Sequence, residues 1–496
     1  MNLYLKTTDN RINSLLTLML YIVAMIGLVS GIMAILFKKE TIYAVVALAV
    51  WLMLVLFCLK DFKERILLLL LAVTLFTFIL GRPLIDFASG IDWIELTKVR
   101  YGANAMPQLT MLLFIISVLS MLIGAWLSAN SVERTRIIKP KLNIDGLEFL
   151  RLVSFGVYVV TYAFAAARGV EKVLFRLNHT YLEYYTDFHS KLPYFTYILA
   201  SFCTYSMSFY LAALPSKPGA IAVLASNVLL HLCDLIVGSR GGFVISLLFC
   251  IFYFVFRDYC DSKTRWFGKF EKLCLIGITI PGMAFLAFYN TYRIGTAVTN
   301  LKISKAIYDF FYSQGVTFSW VSLGLGNTAR LPNHINYSFS NVIDYFLYGN
   351  LGQVLLGTKA MPSGNNITIA TEGNSLAHHL SYIVFGNGYL QGHGTGTSFL
   401  LENYLDFGVI GVILFSLLLG FFSIKMIRYA KHSYFPAVLC LTMFNGFVYI
   451  PRNEFSQIFS FLVYIKFWLI ACSIFVLAAI INDRWIKKNA DIHGIQ

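Results

Sequence analysis

Runs of about twenty apolar residues recur along most of the chain, and they constrain its fold more than any other feature. A helix needs about 20 apolar residues to cross the hydrocarbon core of a bilayer, where every backbone polar group must be paired. Of the 496 residues, 58% are hydrophobic and 13% are charged, whereas about 25% are charged in a soluble domain. The sequence therefore predicts an all-α polytopic integral membrane protein, with residues 1–496 forming a single membrane domain.

The apolar runs predict about twelve transmembrane helices. Their approximate ranges are 13–37, 41–59, 66–88, 109–129, 149–167, 193–214, 219–238, 240–256, 273–292, 399–424, 436–451 and 457–482. The predicted spans seven and eight are joined by a very short connection, within GSRGG.

The distribution of lysine and arginine predicts the orientation of these spans. Basic connections mark the cytoplasmic side of a membrane protein. Five basic clusters share one side, at 60–65, 131–141, 257–272, 425–431 and 484–488, and they outnumber Lys38, Lys39 and the basic stretch 168–192 opposite them. We expect both termini to lie on the cytoplasmic side. The formal net charge of +14 then reflects these connections, and we expect no nucleic-acid partner.

One long segment, residues 294–398, separates predicted spans nine and ten and falls on the outer, periplasmic side. We call it the long loop. It contains turn signals in GNTARLPN, MPSGNN and QGHGTGT, and amphipathic helices are expected near 301–314 and 342–356. Loops longer than about 15 residues are usually functional or disordered, and the aromatic content here argues against disorder. The long loop is thus a predicted functional, partly helical feature.

The eight cysteines do not predict a disulfide framework or a metal site. No CxxC motif is present, and most of the cysteines lie in or beside apolar runs. They are typical of small core residues. We expect neither a bound metal nor a cofactor.

Several polar residues fall at one depth in this topology, on the outer face. Arg240 lies between spans seven and eight, Arg293 ends span nine, and Arg452 lies between spans eleven and twelve. Glu402 and Asp406 are four residues apart at the start of span ten and so share a helix face. Three arginines near an acid favour an anionic substrate, because a guanidinium donates paired hydrogen bonds to phosphate and stays charged.

Each residue also has a structural interpretation. Arg293 and Arg452 could snorkel at span ends, and Glu402 could pair with an arginine for structure alone. His393, in GHGTGTS, could be a solvated loop histidine. His231 and Asp234, three apart on span seven, could be a helix-stabilising polar pair. These alternatives stay open at this point.

The stretch GSRGG would let the backbone approach an anion closely. Gly238, Ser239 and Gly241 surround Arg240, and span eight begins there. Glycine permits a close backbone approach, and a helix N-terminus carries partial positive charge. We expect these residues to support a phosphate contact.

These motifs resemble those of bacterial O-antigen polysaccharide polymerases of the Wzy type, and more broadly oligosaccharide repeat-unit polymerases and O-antigen ligases. The resemblance rests on GSRGG, on the arginine of YNTYRIG, and on RLPN at 330–333 within a long outer loop. The most specific part is TSFLLENYLDFGVIGVILFSLLLG at 397–420, with Ser398, Glu402, Tyr404, Phe407, Gly408 and Gly411 in the spacing S-x-x-x-E-x-Y-x-x-F-G-x-x-G.

The resemblance implies a metal-independent glycosyltransferase of the bacterial inner membrane, with GT-C-like architecture. Such an enzyme transfers a growing glycan from undecaprenyl diphosphate to a sugar hydroxyl of an incoming lipid-linked repeat unit at the periplasmic face. We expect Arg240 and Arg293 to hold the donor diphosphate with help from Arg452, and Glu402 or His393 to act on the acceptor hydroxyl. Asp234, Tyr404 and Asp406 are expected to support them. A base in the long loop, as the ligases suggest, would favour His393, His378 or His379.

Two other functions compete with this one. An O-antigen ligase would transfer finished glycan to lipid A core. A lipid-linked oligosaccharide flippase would place ionisable groups near the bilayer midplane and show repeated halves, whereas this chain concentrates them at one face. Besides membrane lipids and the lipid-linked donor and acceptor, the expected partners are a chain-length-regulating membrane protein and a flippase.

Overall fold

The fold is built from helices joined by short connections. The computed structural model describes residues 2–37, 39–131, 144–179, 183–184, 188–261, 265–269, 271, 273, 277, 303–333, 335–362 and 364–493. No strand occurs among these residues. The prediction of an all-α polytopic membrane protein is therefore confirmed.

We number the α-helices in chain order. They are α1 Asn2–Leu36, α2 Tyr43–Lys60, α3 Ile66–Leu75, α4 Gly81–Ala88, α5 Trp93–Tyr101, α6 Pro107–Asn130, α7 Ile144–Asn178, α8 Tyr194–Ser201, α9 Cys203–Ala212, α10 Lys217–Val237, α11 Arg240–Cys260, α12 Ile303–Gln314, α13 Val316–Gly326, α14 Ser340–Tyr348, α15 Asn350–Leu356, α16 Ile367–Glu372, α17 Leu376–Phe385, α18 Asn387–Leu390, α19 Phe399–His432, α20 Tyr434–Tyr449 and α21 Ile465–His493. A π-helical turn, Phe76–Leu80, joins α3 to α4.

Ten helical segments of the described chain are long and apolar enough to cross a membrane. They are Ser14–Leu36, Glu40–Lys60, Ile66–Ala88, Pro107–Asn130, Leu147–Asn178, Lys217–Val237, Arg240–Cys260, Phe399–His432, Tyr434–Arg452 and Ile465–Asp483. The predicted sixth span is two shorter helices, α8 and α9, separated at Phe202. The predicted ninth span, 273–292, lies almost entirely outside the described residues. The count of twelve and the GT-C-like architecture stay predictions.

Two compact units divide the chain. Unit 1 comprises Met1–Ser131, Lys269–Lys425 and Gly446–Ile458, and unit 2 comprises Val132–Gly268, Met426–Asn445 and Phe459–Gln496. Helices α19 and α20 contribute to both units.

In unit 1, α6 and α19 cross so closely that only glycine fits at the crossing. A Cβ on Gly124 would lie 2.0 Å from the Leu417 carbonyl oxygen, and one on Gly420 would lie 2.0 Å from the Met121 carbonyl oxygen. Small residues at membrane helix contacts permit such approaches. Hydroxyl groups of Ser117 and Ser416 add a hydrogen bond of 2.8 Å. This crossing fixes the helix that carries Glu402.

The described part of the long loop begins with two helices, of which the second is buried. Helix α12 matches the predicted amphipathic segment near 301–314. The next helix, α13, is apolar and mostly buried. Its Ser322 carbonyl oxygen accepts from the Met106 N–H at 3.0 Å, and its Ser322 hydroxyl contacts that of Thr110 at 2.9 Å. A run of eleven residues is too short to be predicted as a span, and here it packs against the start of α6.

The second predicted loop helix, near 342–356, is divided into α14 and α15. Gly349 separates them in an extended conformation, with φ −72° and ψ 173°. The amide of Asn341 donates to the Ser456 hydroxyl at 3.3 Å, which fastens α14 to the segment after α20. Contacts from α13 and α14 therefore hold the long loop within unit 1.

Unit 2 packs α7 against α8, α9, α10 and α21. Tyrosine hydroxyls in this unit donate hydrogen bonds to backbone carbonyl oxygens. Tyr253 donates to that of Leu211 at 2.9 Å, and Tyr434 donates to that of Phe209 at 3.0 Å. The connection between α10 and α11 is only two residues, Gly238 and Ser239, as the sequence predicts. Gly238 has φ 122°, a left-handed value that favours glycine and lets α10 reverse into α11.

Candidate functional site in unit 1

Glu402 is fully enclosed near the start of α19. Its side chain is 0% exposed. Oε1 accepts from the Thr397 hydroxyl at 2.8 Å, and Oε2 accepts from the backbone N–H of Phe455 at 2.8 Å. A buried carboxylate needs such donors, because an unpaired buried charge is very costly. Glu402 thus joins α19 to the segment that follows Arg452.

Asp406, one turn later, fastens the long loop to α19. Its two carboxylate oxygens accept from the backbone N–H groups of Tyr337 at 3.1 Å and Ser338 at 2.7 Å. The Ser338 hydroxyl donates to the Asn403 side-chain oxygen at 2.9 Å. Tyr404, between these residues, is partly buried. The acidic pair predicted from sequence therefore holds two different segments against one helix end.

Two glycines explain the spacing of the motif that carries these acids. Gly408 has φ 63° and ψ −156°, and interrupts α19 with a kink. A Cβ on Gly411 would lie 2.5 Å from the Phe407 Cβ and 2.6 Å from the Asn403 carbonyl oxygen. The kink sets the first turns of α19 at a different angle from the rest of the helix. The F-G-x-x-G part of the motif is thus required by backbone geometry.

Arg452 lies against aromatic rings at the end of α20. Its guanidinium carbon is 4.9 Å from the centroid of the Trp320 ring and 5.6 Å from that of Phe78. Nη1 donates to the Gln314 side-chain oxygen at 3.0 Å. Cation–π contacts hold a guanidinium in a defined orientation. Arg452 is therefore positioned beside the α12–α13 junction.

Two more arginines reach the same junction, and sequence reasoning did not single them out. The guanidinium of Arg82, a residue only 7% exposed, lies 4.5 Å from the Tyr312 ring centroid. Arg100 donates to the Tyr312 hydroxyl at 2.8 Å. A Cβ on Gly315 would lie 2.5 Å from that of Arg82, so the junction passes directly over this arginine. We call Arg82, Arg100 and Arg452 the arginine cluster.

The sequence offered one signal for this cluster. Arg82, in GRPLID, follows the largely apolar stretch 66–80 near the end of predicted span three, which is an expensive place for an arginine. Its neighbour Asp86 is 4% exposed and lowers that cost by charge attraction. The convergence of three guanidinium groups at this junction favours a bound anion.

Loop histidines and carboxyls form a second polar group near α17. His378 contacts the Tyr389 hydroxyl at 2.7 Å, and His379 contacts the Tyr337 hydroxyl at 3.3 Å. Burial lowers the pKa of both histidines. Burial also raises the pKa of Glu454, whose Oε1 accepts from the Ser375 hydroxyl at 2.6 Å.

Asp344 is hydrogen-bonded within the long loop, whereas His393 is exposed. Burial raises the pKa of Asp344, which accepts from the Asn374 side chain at 2.5 Å. His393 is exposed, with its ring 6.3 Å from that of Phe385. Of the histidines predicted as bases, His393 is the one at the surface of unit 1.

The predicted GSRGG site lies in unit 2. Arg240 begins α11, and the N–H groups of Gly238 and Ser239 donate to the Asp234 carbonyl oxygen at 3.2 and 2.9 Å. Gly241 is the second residue of α11. The Asp234 side chain pairs with Lys172 at 2.9 Å and with His231 at 3.4 Å. Asp234 therefore supports the turn that presents Arg240.

Arg293 lies outside the described residues. Within the part of the chain that the structure describes, no group of three or more His, Cys, Asp or Glu side chains is placed to hold a metal ion.

Comparison with known proteins assigns the family. The sequence profile of the family described as O-antigen polysaccharide polymerase Wzy matches residues 19–485, nearly the whole chain. No curated protein and no solved structure matches. The match includes the GSRGG turn, the arginine cluster and the kinked start of α19. The chain belongs to the O-antigen polysaccharide polymerase Wzy family.

Proposed function

We propose that this protein extends a lipid-linked glycan at the periplasmic face of the bacterial inner membrane. Membership in the Wzy family already implies polymerisation of lipid-linked O-antigen repeat units. In the proposed reaction, a sugar hydroxyl of the incoming repeat unit attacks the anomeric carbon of the donor glycan. The new C–O bond forms as the bond from that carbon to the diphosphate breaks, and undecaprenyl diphosphate leaves with the electron pair.

The observation that carries the proposal is the convergence of three arginines on the α12–α13 junction. Arg82 and Arg100 come from the neighbouring helices α4 and α5, Arg452 comes from the end of α20, and each contacts Tyr312 or Gln314. Charge-assisted hydrogen bonds to phosphate contribute about 1.5–3 kcal/mol each. The cluster would hold the diphosphate and stabilise the charge that grows on it in the transition state.

Independently of the arginine cluster in unit 1, Arg240 and Arg293 keep their predicted role as diphosphate ligands. Support for Arg240 comes from its place in the first turn of a 21-residue helix, where the helix dipole favours an anion. The proposed role of Arg293 rests on the sequence motif alone. Guanidinium groups would supply the positive charge that a divalent cation supplies in other glycosyltransferases, so we propose a metal-independent reaction.

For the acceptor proton, we propose His393 as the general base. Its imidazole is exposed, so a substrate hydroxyl has access to it. Glu402, the leading candidate from sequence, has both oxygens occupied by Thr397 and Phe455 and no exposed surface. We assign Glu402 the role of a positioning residue, which holds the turn after Arg452.

The test uses Arg82→Gln and Arg452→Gln, with Lys98→Gln as the matched control. Lys98 lies in α5, the helix of Arg100, but makes no hydrogen bond to Tyr312 or Gln314 among the described residues. Both arginine variants should accumulate in the membrane and yield short lipopolysaccharide, with a single repeat unit on lipid A. The control should give the normal ladder, and normal ladders from both arginine variants would refute the proposed cluster.

A purified assay tests the remaining parts. Synthetic undecaprenyl-diphosphate repeat units should be polymerised at an unchanged rate in excess chelator, and a requirement for added Mg²⁺ would contradict the metal-independent reaction. His393→Ala should reduce the rate by about 10²–10⁴-fold, the usual contribution of a general base. A ligase would instead need lipid A core as the acceptor, and a flippase would move the substrate without lengthening it.

A further inference from the structure

A cavity in unit 1 lies between α1, α2 and α6, at the end of these helices that carries Lys60 and Asn130. Its volume is about 740 Å³. The polar part of its lining includes Lys60, Asp61 and Arg65, and the apolar part includes Leu20, Leu122 and Trp126. These residues do not belong to the candidate site described above.

The polar end carries a net positive charge. Lys60 and Arg65 contribute two positive charges and Asp61 one negative charge, and Asp61 is paired with Arg65. Lys60 has no ion pair among the described residues. An anion entering the cavity would therefore find one lysine available.

Arg65 is held rigidly at this end. It is 8% exposed, its Nη1 donates to the Phe57 carbonyl oxygen at 2.6 Å, and its guanidinium lies 3.9 Å from the Phe57 ring centroid. Its Nε has no hydrogen-bond partner among the described residues. A buried N–H donor without a partner is rare and costly, which indicates an unfilled acceptor position.

The apolar side of the cavity faces the direction of the bilayer. Tyr21, Ile123 and Trp126 line it, and each is more than half exposed. Exposed apolar side chains of membrane spans face lipid, and tryptophan favours the level of the head groups. The cavity is thus polar at one end, apolar along its wall and accessible from the hydrocarbon.

We infer that this cavity binds an anionic phospholipid. Its phosphate would lie at Lys60 and Arg65, and the upper part of an acyl chain would lie along Leu20 and Leu122. Basic pockets between transmembrane helices on the cytoplasmic side bind such head groups, and 60-KDFKER-65 is one of the clusters that predict that side. This inference does not depend on the proposed polymerase chemistry, because the site lies at the opposite end of span three from Arg82.

The test measures lipid binding to the purified full chain in detergent by native mass spectrometry, with thermal unfolding as a second readout. The probes are phosphatidylglycerol, phosphatidylcholine with the same acyl chains, inorganic phosphate and undecaprenyl diphosphate. Phosphatidylglycerol should bind best and raise the unfolding temperature most. Lys60→Gln should weaken its binding about fivefold, since one basic residue contributes about that factor toward anionic lipid.

Two further variants make the result specific. Lys39→Gln removes an exposed lysine from the connection between α1 and α2 and should leave phosphatidylglycerol binding unchanged. Leu122→Trp fills the apolar wall and should weaken binding while all charges remain. Equal binding of the two phospholipids, a normal affinity in Lys60→Gln, or preference for undecaprenyl diphosphate or inorganic phosphate would overturn the inference.

Discussion

The carboxylate of Glu402 accepts a hydrogen bond from the backbone N–H of Phe455 at 2.8 Å, three residues after Arg452. The contact connects the motif at 397–420 to the turn that carries Arg452. We therefore propose that Glu402 acts on the reaction through the position of Arg452.

This relationship predicts that Glu402→Gln is far less harmful than Glu402→Ala. Glutamine keeps an oxygen that can accept from Phe455, whereas alanine leaves that buried N–H unpaired at a cost of about 1–3 kcal/mol. In a purified polymerisation assay, the alanine variant should lose most of its rate and the glutamine variant should retain much of it. If Glu402 were the general base, the polymerisation rate would fall by about 10²–10⁴-fold in both variants. That outcome would contradict the positioning role.

A double-mutant cycle checks the same prediction independently. If Glu402 acts through Arg452, then adding Glu402→Ala to Arg452→Gln should cost little more than Arg452→Gln alone. Residues that act as one unit are strongly non-additive. Additive losses in rate would mean that the two side chains contribute separately.

The close crossing of α6 and α19 gives a second prediction, on stability. Gly420→Ala places a Cβ 2.0 Å from the Met121 carbonyl oxygen, which is too close, so the two helices must separate. Overpacking of this kind costs about 1–3 kcal/mol. Thermal unfolding in detergent should show a lower transition temperature for Gly420→Ala and for Gly124→Ala.

The matched control for this crossing is Gly156→Ala in α7. A Cβ there meets nothing within 4 Å, and alanine favours helix over glycine by about 0.5–1 kcal/mol. Its transition temperature should stay the same or rise. An equal loss in all three variants would attribute the effect to the helix backbone rather than to the crossing.

The spans were predictable from sequence because a bilayer imposes a length and an apolar composition on each one. Residues 193–214 are apolar enough and long enough for a span, yet their helix is interrupted at Phe202. No Gly or Pro at that position indicates the interruption. The buried helix α13 was missed for the opposite reason, since a mostly apolar helix of eleven residues is too short to indicate a span.

The arginine cluster could not be predicted, because its members meet only through the fold. Arg100 and Tyr312 are 212 residues apart in the chain. Glu402 and Asp406 were correctly placed on one helix face, since spacing of four is a local property. Their partners Phe455, Tyr337 and Ser338 depend on tertiary contacts that spacing does not encode.

The kink at Gly408 gives a third prediction. Its φ of 63° with ψ of −156° lies in a region that is essentially restricted to glycine. Gly408→Ala should cost about 1–3 kcal/mol of stability or straighten α19. Straightening would move Glu402 and Asp406 from their partners, so the polymerisation rate should fall with the unfolding temperature.

The predicted loss of stability in Gly408→Ala comes from the backbone conformation and not from a steric clash, because a Cβ on Gly408 would meet nothing within 4 Å. A helical glycine with equal space, Gly31, provides the control. Gly31→Ala should leave both rate and unfolding temperature close to the wild-type values. Wild-type behaviour of Gly408→Ala would mean that the kink is not required.

A fourth prediction concerns pH and His379, which is 2% exposed and contacts the Tyr337 hydroxyl at 3.3 Å. Burial lowers its pKa below the ordinary value of 6.5. The folded protein thus disfavours the protonated ring. Its contribution to stability is complete above the unfolded pKa and is lost as the pH falls from about 6.5 through the folded pKa, by up to about 1.4 kcal/mol per pH unit.

His379→Gln should flatten this part of the stability curve, because glutamine cannot be protonated but can still bond to Tyr337. The measurement is the unfolding free energy in detergent between about pH 7.5 and pH 5, the range in which histidine titrates. His378, whose pKa is also lowered, acts in the same direction, whereas Asp344 and Glu454, with raised pKa values, act in the opposite one. The difference between wild type and variant isolates His379 from these neighbours. Parallel curves would mean that His379 is protonated equally well in the folded and unfolded chains, which would contradict its burial as the cause of the lowered pKa.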